Sequence, residues 1–276
     1  MSSPIETRLY VEEPLAAGAV VGLDHARAHY LRSVLRLAPG AAVALFNGRD
    51  GAWTARLEGL GKGWASLTVE SLLQAQRPEP DLWLCFAPIK RARLDFLAEK
   101  ATELGASRLV PVMTRHTIVT RVNGERLAAN AREAAEQCER LSVPTVAAPV
   151  KLEALLADWP AERRLFLCAE AGAARPIAEA LLAEAGLDEA GLAEGAPRPA
   201  AFLTGPEGGF SAAELDALAK LPFVVPVGLG PRILRADTAA IAALASWQAI
   251  LGDGKERPPE ARATAGRQSF APLADD

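Results

Sequence analysis

The chain has 276 residues, half of them hydrophobic, and a formal net charge of −4 at pH 7. This length suggests one large domain or two smaller ones, and the hydrophobic content excludes wholesale disorder. The net charge gives no global sign of a nucleic-acid-binding protein. The amino terminus has no basic segment followed by an apolar one, and no apolar run approaches the roughly 18 residues of a membrane span. We therefore expect a cytoplasmic protein without a membrane segment.

Cysteine and histidine spacing gives no metal site. Cys85, Cys138 and Cys168 lack metal-ligand spacing and cannot all pair, so we expect buried, reduced thiols. His25 and His29 are four residues apart, which is metal spacing on a helix, but no third ligand is in view.

Residues 1–75 have the pattern of a small β-barrel. Short apolar runs are separated by close-spaced turn signals such as Asn47-Gly48, which is typical of such barrels. The runs lie at 8–11, 42–46, 52–57 and 64–69.

An arginine-bearing helix is predicted between the first two of these runs. In residues 24–36, apolar side chains recur at helical spacing, at Tyr30, Leu31, Val34 and Leu35. Arg27, Arg32 and Arg36 are left largely free. These arginines form either a solvated helix face or a phosphate-contacting patch on the barrel, and the pattern leaves both interpretations open.

The best linker in the chain is 74–81, QAQRPEPD, with two prolines and few apolar groups. We place the domains at 1–75 and 76–252. Residues 253–276 lose all periodicity and predict a flexible tail.

Strands alternate with helices from residue 82 onward, which predicts an α/β domain with a mostly parallel, doubly wound sheet. Strands are expected at 82–87, 108–113 and 165–169. One helix opens at Lys90, and another spans 125–141 with Cys138 and Leu141 facing inward.

Two glycine-rich loops follow successive strands in the carboxy-terminal part of the chain. Apolar runs at 201–203 and 223–227 lead into GPEGG, 205–209, and GLG, 228–230. One such loop alone could be a tight turn, whereas two favour a ligand at the carboxyl ends of the strands. Neither loop has a dinucleotide or phosphate-loop fingerprint.

Helix starts are predicted beside both loops. Ser211 and Glu214 have the spacing of a capping box, and Asp237 is predicted to cap a final helix at 238–251. Arg232 and Arg235 bracket an apolar pair, which suits an anionic or nucleic-acid substrate beside a hydrophobic pocket. The absence of a nucleophilic triad or metal cluster nearby favours a reaction that depends on positioning.

Five motifs together resemble a known family. These are GPEGGFS at 205–211, LGPRILR at 229–235 followed by ADTA, KATELG at 100–105, EAAEQCER at 133–140 and HYLRSVLR at 29–36. Together they span roughly residues 8–251, follow one another along the chain in the family's order, and are similar to the ribosomal RNA small-subunit methyltransferase E family of the SPOUT superfamily. The chain departs from the family where it has Ala236 and Asp237 in place of threonine and glutamate.

The resemblance implies a PUA-like, RNA-binding β-barrel followed by a parallel-sheet domain with a deep trefoil knot. It implies an enzyme of ribosome biogenesis that methylates N3 of a uridine in 16S ribosomal RNA with S-adenosylmethionine. It also implies a homodimer formed through the carboxy-terminal domain. The alternative is a non-catalytic RNA-binding or ribosome-assembly protein on the same fold. A different nucleotide-utilising enzyme is disfavoured by the missing phosphate fingerprints.

The family motifs place the site residues. The cofactor would lie on the two loops, at Leu203, Thr204, Gly205, Gly208, Gly209, Val227, Leu229, Gly230, Ile233 and Leu234. Arg235 is the first choice, and Arg232 the second, for stabilising negative charge on the uracil ring, with Glu207 the nearest candidate base. RNA contacts are expected at Arg8, Arg27, Arg32, Arg36 and Arg91. The shorter carboxylate of Asp237 puts in doubt any catalytic role that needs the reach of glutamate.

Overall fold

In a computed structural model, residues 4–169, 174–185 and 198–256 are described. The chain divides into two compact units. The first runs up to Arg77 and includes Glu139–Ser142, and the second comprises Pro78–Cys138 and Val143–Glu256. Of the predicted tail, Asp253–Lys255 forms a short 3-10 helix. The remainder of the tail, from residue 257, lies outside the described residues.

The first unit contains a five-stranded sheet in the order β1-β3-β4-β5-β2. β1 pairs with β3 in parallel, and the other neighbours are antiparallel. The strands are β1 (Ile5–Tyr10), β2 (Val20–Leu23), β3 (Ala42–Phe46), β4 (Ala52–Leu60) and β5 (Ala65–Gln74).

The predicted arginine-bearing helix is short and changes its winding. α1 (His25–His29) is capped by Asp24 and continues as one π-helical turn, Tyr30–Val34. The N–H of Leu35 donates to the carbonyl of Tyr30, five residues back, at 3.0 Å. This wider turn shifts the register of the apolar stripe. Leu31 is fully buried as predicted, but the inward orientation predicted for Val34 is wrong, since it is 60% exposed.

The second unit confirms the predicted α/β fold with a parallel sheet. All its strand pairs are parallel, in the order β11-β13-β10-β12-β6-β7-β8, with β9 also pairing with β7. The trefoil knot stays a prediction. The strands are β6 (Leu82–Phe86), β7 (Arg108–Met113), β8 (Thr145–Val146), β9 (Val150–Lys151), β10 (Arg164–Cys168), β11 (Arg175–Pro176), β12 (Ala200–Thr204) and β13 (Val224–Gly228).

Helices cover this sheet. They are α2 (Arg91–Glu103), α3 (Gly124–Gln137), α4 (Leu152–Ala157), α5 (Ile177–Glu184), α6 (Ala212–Ala219) and α7 (Ala236–Ile250). The central strand β12 is buried on both faces, so apolar residues occupy its first four positions without alternation, and only Thr204 at its end is polar. Phe166 of β10 stacks on Phe202 of β12 with ring centroids 5.2 Å apart. Trp247 of α7 is completely buried in the same cluster.

The helix predicted at 125–141 is wrong at its carboxyl end. α3 ends at Gln137, and Glu139 adopts a left-handed φ of +64°, which stops the helix. Cys138 is therefore exposed rather than inward. Leu141 is buried, but in the segment that belongs to the first unit.

All three cysteines are free thiols, but the predicted burial holds fully for only one of them. Cys85 in β6 is fully buried, and desolvation raises the pKa of its thiol to about 12, so it stays protonated at neutral pH. Cys168 is half-buried and Cys138 is exposed, so the expectation of burial is wrong for Cys138.

Gly105, which follows α2, provides a stability test. Its φ of +78° is a left-handed conformation, and an added Cβ would overlap Nε2 of Gln248. That amide donates to the carbonyl of Leu104 at 2.9 Å, while its oxygen accepts from the N–H of Asp253 at 3.0 Å. Gly105→Ala should lower the free energy of unfolding by about 2 kcal/mol, through backbone strain and loss of this contact.

The matched control is Gly40→Ala. Gly40 has a φ of +95° with nothing within 4 Å of its added Cβ, so this variant carries the backbone strain alone. It should lose about 1 kcal/mol in the same urea unfolding experiment. Equal losses in both variants would show that the Gln248 contact contributes nothing.

Candidate functional site

Both glycine loops begin at the same edge of the second unit's sheet. Because β12 and β13 run parallel, their carboxyl ends lie on one side. The strands are successive in the chain but not neighbours in the sheet, since β10 lies between them. With strands spaced about 4.8 Å apart, the loops begin about 10 Å from each other, across the end of β10.

The first loop is a tight turn with an exposed carboxylate. The N–H of Gly209 donates to the carbonyl of Pro206 at 2.9 Å, and Gly209 has a left-handed φ of +66°. A Cβ on Gly205 would lie 2.9 Å from the ring of Phe210, so only glycine fits there. Glu207, the candidate base, is exposed.

Glu214 anchors this loop, and the predicted capping box is confirmed. One carboxylate oxygen accepts from the N–H and hydroxyl of Ser211 at 2.8 and 2.9 Å. The other oxygen accepts from the N–H of Arg115 at 2.8 Å. Burial raises the pKa of Glu214, but the hydrogen bonds from Ser211 and Arg115 outweigh it, so its pKa lies below the ordinary value.

His116, which sequence reasoning missed, holds the loop at a second point. Its Nδ1 lies 3.0 Å from the carbonyl oxygen of Gly208 and 3.2 Å from that of Gly209. Two carbonyls accept but cannot donate, so Nδ1 carries the proton. His116 lies in the segment after β7, where the hydroxyl of Thr117 accepts from the N–H of Thr114 at 3.0 Å. No motif in the sequence marks this histidine.

The second loop offers open backbone. Gly230 has a φ of +102°, and nothing lies within 4 Å of where its Cβ would be. Among the described residues, the N–H groups of Leu229 and Gly230 have no hydrogen-bond acceptor. Leu229 and Leu234 are half-buried, whereas Ile233 is 84% exposed. The loop therefore presents unpaired donors beside apolar side chains.

Three of the residues predicted to bind the cofactor have side chains that are buried in the core. Leu203 and Val227 are fully buried, and Thr204 is 2% exposed. They can meet a ligand only through the backbone at the ends of their strands.

The two candidate catalytic arginines, Arg232 and Arg235, are both exposed. α7 begins at Ala236, directly after Arg235, so the predicted capping role of Asp237 is wrong. Asp237 lies in the first turn, where its Oδ1 accepts from the N–H of Thr238 at 2.9 Å. Its Oδ2 lies 3.9 Å from Nε of Arg93 in an ion pair with α2. A carboxylate there still interacts favourably with the helix dipole.

The arginines predicted to contact RNA have different surroundings. Arg32 and Arg36 of the first unit and Arg91 of the second are exposed, and Arg27 is half-buried. The predicted RNA contacts of these residues stay predictions.

Arg8 differs from the other four because its guanidinium has partners within the first unit. It donates to the carbonyls of Glu139 and Arg140 at 3.2 and 3.0 Å and lies 5.1 Å from the ring centroid of Phe46. These contacts give Arg8 a structural role in holding the segment Glu139–Ser142.

Neither a membrane-spanning helix nor a metal-binding cluster occurs among the described residues. No helix in these parts of the chain is long and apolar enough to cross a membrane. Across the same residues, no three His, Cys, Asp or Glu side chains converge to hold a metal ion.

The Glu214 anchor predicts a pH-dependent loss of stability in Glu214→Gln. The amide lacks the charge and cannot accept all three hydrogen bonds, so the free energy of unfolding at pH 7 should fall by about 2 kcal/mol. Because the folded-state pKa of Glu214 lies below 4.5, this contribution is present above about pH 4.5 and is lost as the pH falls through the folded value. Urea unfolding across this pH range should therefore show the two proteins converging in acid. Asp216→Asn, exposed on the same helix, should change little.

The His116 anchor predicts faster amide exchange in the first loop of His116→Ala. Losing a hydrogen bond worth about 1 kcal/mol should speed exchange about fivefold, measured by hydrogen exchange and mass spectrometry. In His116→Asn the amide nitrogen is as many bonds from Cα as Nδ1 and should keep exchange slow. In His116→Gln the donor is displaced, so exchange should resemble that of the alanine variant. Identical exchange in the alanine and asparagine variants would contradict the role given to Nδ1.

Two family models match the chain. The model of an RNA methyltransferase domain matches residues 76–248, and that of an RNA methyltransferase PUA domain matches residues 23–70. The second match confirms the prediction of a PUA-like first domain.

Relatives and solved structures point to the same family. Ribosomal RNA small subunit methyltransferase E of Rickettsia conorii is 32% identical, covering 86% of this chain and 93% of that protein. The Synechocystis protein of the same name is 34% identical, covering 88% of this chain and 78% of its own length. The crystal structure of the Neisseria gonorrhoeae protein of that name, bound to S-adenosyl methionine, matches with a TM-score of 0.75 and 29% identity, over 92% of this chain and 100% of that one. The chain therefore belongs to the ribosomal RNA small subunit methyltransferase E family.

Proposed function

We propose that this chain transfers a methyl group from S-adenosylmethionine to N3 of a uridine in 16S ribosomal RNA. Family membership supports S-adenosylmethionine-dependent methylation of ribosomal RNA. The uridine, its N3 atom, a homodimer formed through the second domain and a cytoplasmic location belong to the proposal. The observation that carries it is the pair of glycine loops at one edge of the parallel sheet, with open backbone at Gly230.

The two loops fit S-adenosylmethionine. The unpaired N–H groups of Leu229 and Gly230 suit the acceptor nitrogens of an adenine ring, and the half-buried Leu234 offers an apolar surface to its face. The opening at Gly230 lets the backbone approach a flat ligand closely. The anchored loop 205–209 would bound the other side of the ligand. The Neisseria gonorrhoeae relative, which is bound to S-adenosyl methionine, supports this assignment.

Arg235 and Arg232 would act on the uracil ring. S-adenosylmethionine supplies the methyl group and leaves as S-adenosylhomocysteine. Loss of the N3 proton leaves negative charge shared between N3 and the two ring carbonyls, and N3 then bonds to the methyl carbon as the methyl–sulfur bond breaks. A guanidinium beside those oxygens stabilises that charge. Both arginines are exposed next to the predicted cofactor loop, so they are free to meet a bound base.

The proton of N3 needs an acceptor, and Glu207 is the nearest candidate. Its carboxylate is exposed on the first loop, so it can reach a substrate without a change in the fold. Asp237 is a weaker candidate because its carboxylate pairs with Arg93 and with the N–H of Thr238. Positioning of the two reactants supplies much of the rate, since well-oriented groups can gain roughly 7–11 kcal/mol.

The assignment of Arg235 predicts a selective effect on turnover. Arg235→Ala should bind S-adenosylmethionine within about twofold of the parent and lose about 100- to 1,000-fold in kcat on small ribosomal subunits. The matched control is Arg198→Ala, since Arg198 is also exposed but lies before β12, at the opposite edge of the sheet. Full turnover in Arg235→Ala with normal cofactor binding would refute the role.

Calorimetric titration separates this function from its alternatives. The methyltransferase should bind S-adenosylmethionine and S-adenosylhomocysteine but not ATP. A non-catalytic ribosome-assembly protein would bind none of the three, and a different nucleotide-utilising enzyme would bind ATP. Mapping methylated uridines in ribosomes from a strain that lacks the gene would then identify the target, where one N3 methyl group should be missing.

A further inference from the structure

Trp64 stands out in the first unit because it is an exposed tryptophan at the tip of a hairpin. It is 54% exposed, whereas Trp159 and Trp247 are buried and Trp53 and Trp83 are half-buried. It ends the sequence Gly61-Lys62-Gly63-Trp64, which connects β4 to β5. Exposing a large apolar ring to water costs free energy unless the ring packs against a ligand or another surface.

The indole ring is held against backbone on one side. A Cβ on Gly59 would lie 2.6 Å from the six-membered ring of Trp64, and one on Gly61 would overlap the pyrrole edge. The N–H of Gly61 donates to the carbonyl of Trp64 at 2.9 Å, which closes the turn. The ring therefore lies over the end of β4 and the start of the turn, at two positions where only glycine fits. The part of the ring that is exposed to solvent is therefore the side that faces away from these glycines.

The turn that carries this ring also has a cationic side chain and lies against an imidazole. Lys62, two residues away in the same turn, is exposed. The imidazole of His25 lies against Gly63, whose added Cβ would be 2.9 Å from its Cδ2. His25 begins α1, which also carries Arg27. An aromatic ring with cations beside it is the arrangement by which proteins bind single-stranded nucleic acid.

We propose that Trp64 is a stacking platform for an unpaired base of the RNA substrate, with Lys62 contacting an adjacent phosphate. This inference rests on the proposed RNA methylation, in which the first unit binds ribosomal RNA. If the only role of residue 64 were to cover Gly59 and Gly61, any apolar side chain would be sufficient. The rigid placement of a large aromatic ring, with one side covered and the other open, is what base stacking requires.

Tryptophan fluorescence tests the stacking directly. The probe is a mixed-sequence single-stranded RNA of about ten nucleotides, within the range of known single-strand site sizes. Stacking of a base on Trp64 should quench the red-shifted emission of the parent protein, and Trp64→Phe should lose that quench while keeping affinity within about threefold. Heparin, a polyanion without bases, should bind the cations without quenching. Equal quenching by heparin would overturn the proposal.

The affinity for RNA provides a second test of the stacking platform. Trp64→Leu keeps an apolar cover for the glycines but cannot stack, so it should weaken RNA binding about tenfold, within the known range for one stacked base. It should raise KM for small ribosomal subunits by a similar factor, with kcat unchanged and S-adenosylmethionine binding intact. If RNA binds the parent, Trp64→Phe and Trp64→Leu alike, the platform is refuted while the proposed function stands. If the parent binds no RNA, the platform is refuted, while titration with S-adenosylmethionine decides the proposed function separately.

Discussion

The parallel pairing of β10 with both β12 and β13 is the constraint on which the candidate site depends. Parallel strands bring all their carboxyl ends to one edge, so both glycine loops start on the same side of the sheet. A single reversed strand of five residues would carry its loop about 15 Å away, to the opposite edge. β10 also sets the spacing of the two loops, because it separates the strands from which they start. A gap one strand wide suits a ligand that is flat and elongated.

The first loop owes its shape to groups outside it as well as to its glycines. Glycine permits the left-handed conformation at Gly209 but does not select it. Glu214 and His116 supply that selection, one from the helix after the loop and the other from the segment after β7. Since Glu214 also binds the N–H of Arg115, these two segments form one hydrogen-bonded unit. A preformed loop loses less conformational entropy when a ligand binds.

The features that could be predicted from the sequence are those that depend on the spacing of residues close together in the chain. Ser211 and Glu214 are three residues apart, which defines a capping box, and the alternation of strands and helices implies a parallel sheet. The features that it missed depend on contacts between distant segments or on local changes in helix winding and helix bounds. The π-helical turn moved Val34 outward, Glu139 ended α3 early, and α7 began one residue before Asp237. The place of β10 between β12 and β13, and of His116 beside Gly208, arises only from the folded sheet.

The position of β12 between β6 and β10 has a consequence for how the protein is made. β6 and β10 are translated before β12, yet they are not neighbours in the finished sheet. Each must keep an edge unpaired until residue 204 has left the ribosome, and such edges are prone to pairing wrongly. Contacts of this sequence separation also slow folding. We therefore expect the second unit to be the slower of the two to fold on a nascent chain, with its ligand loops among the last elements to form.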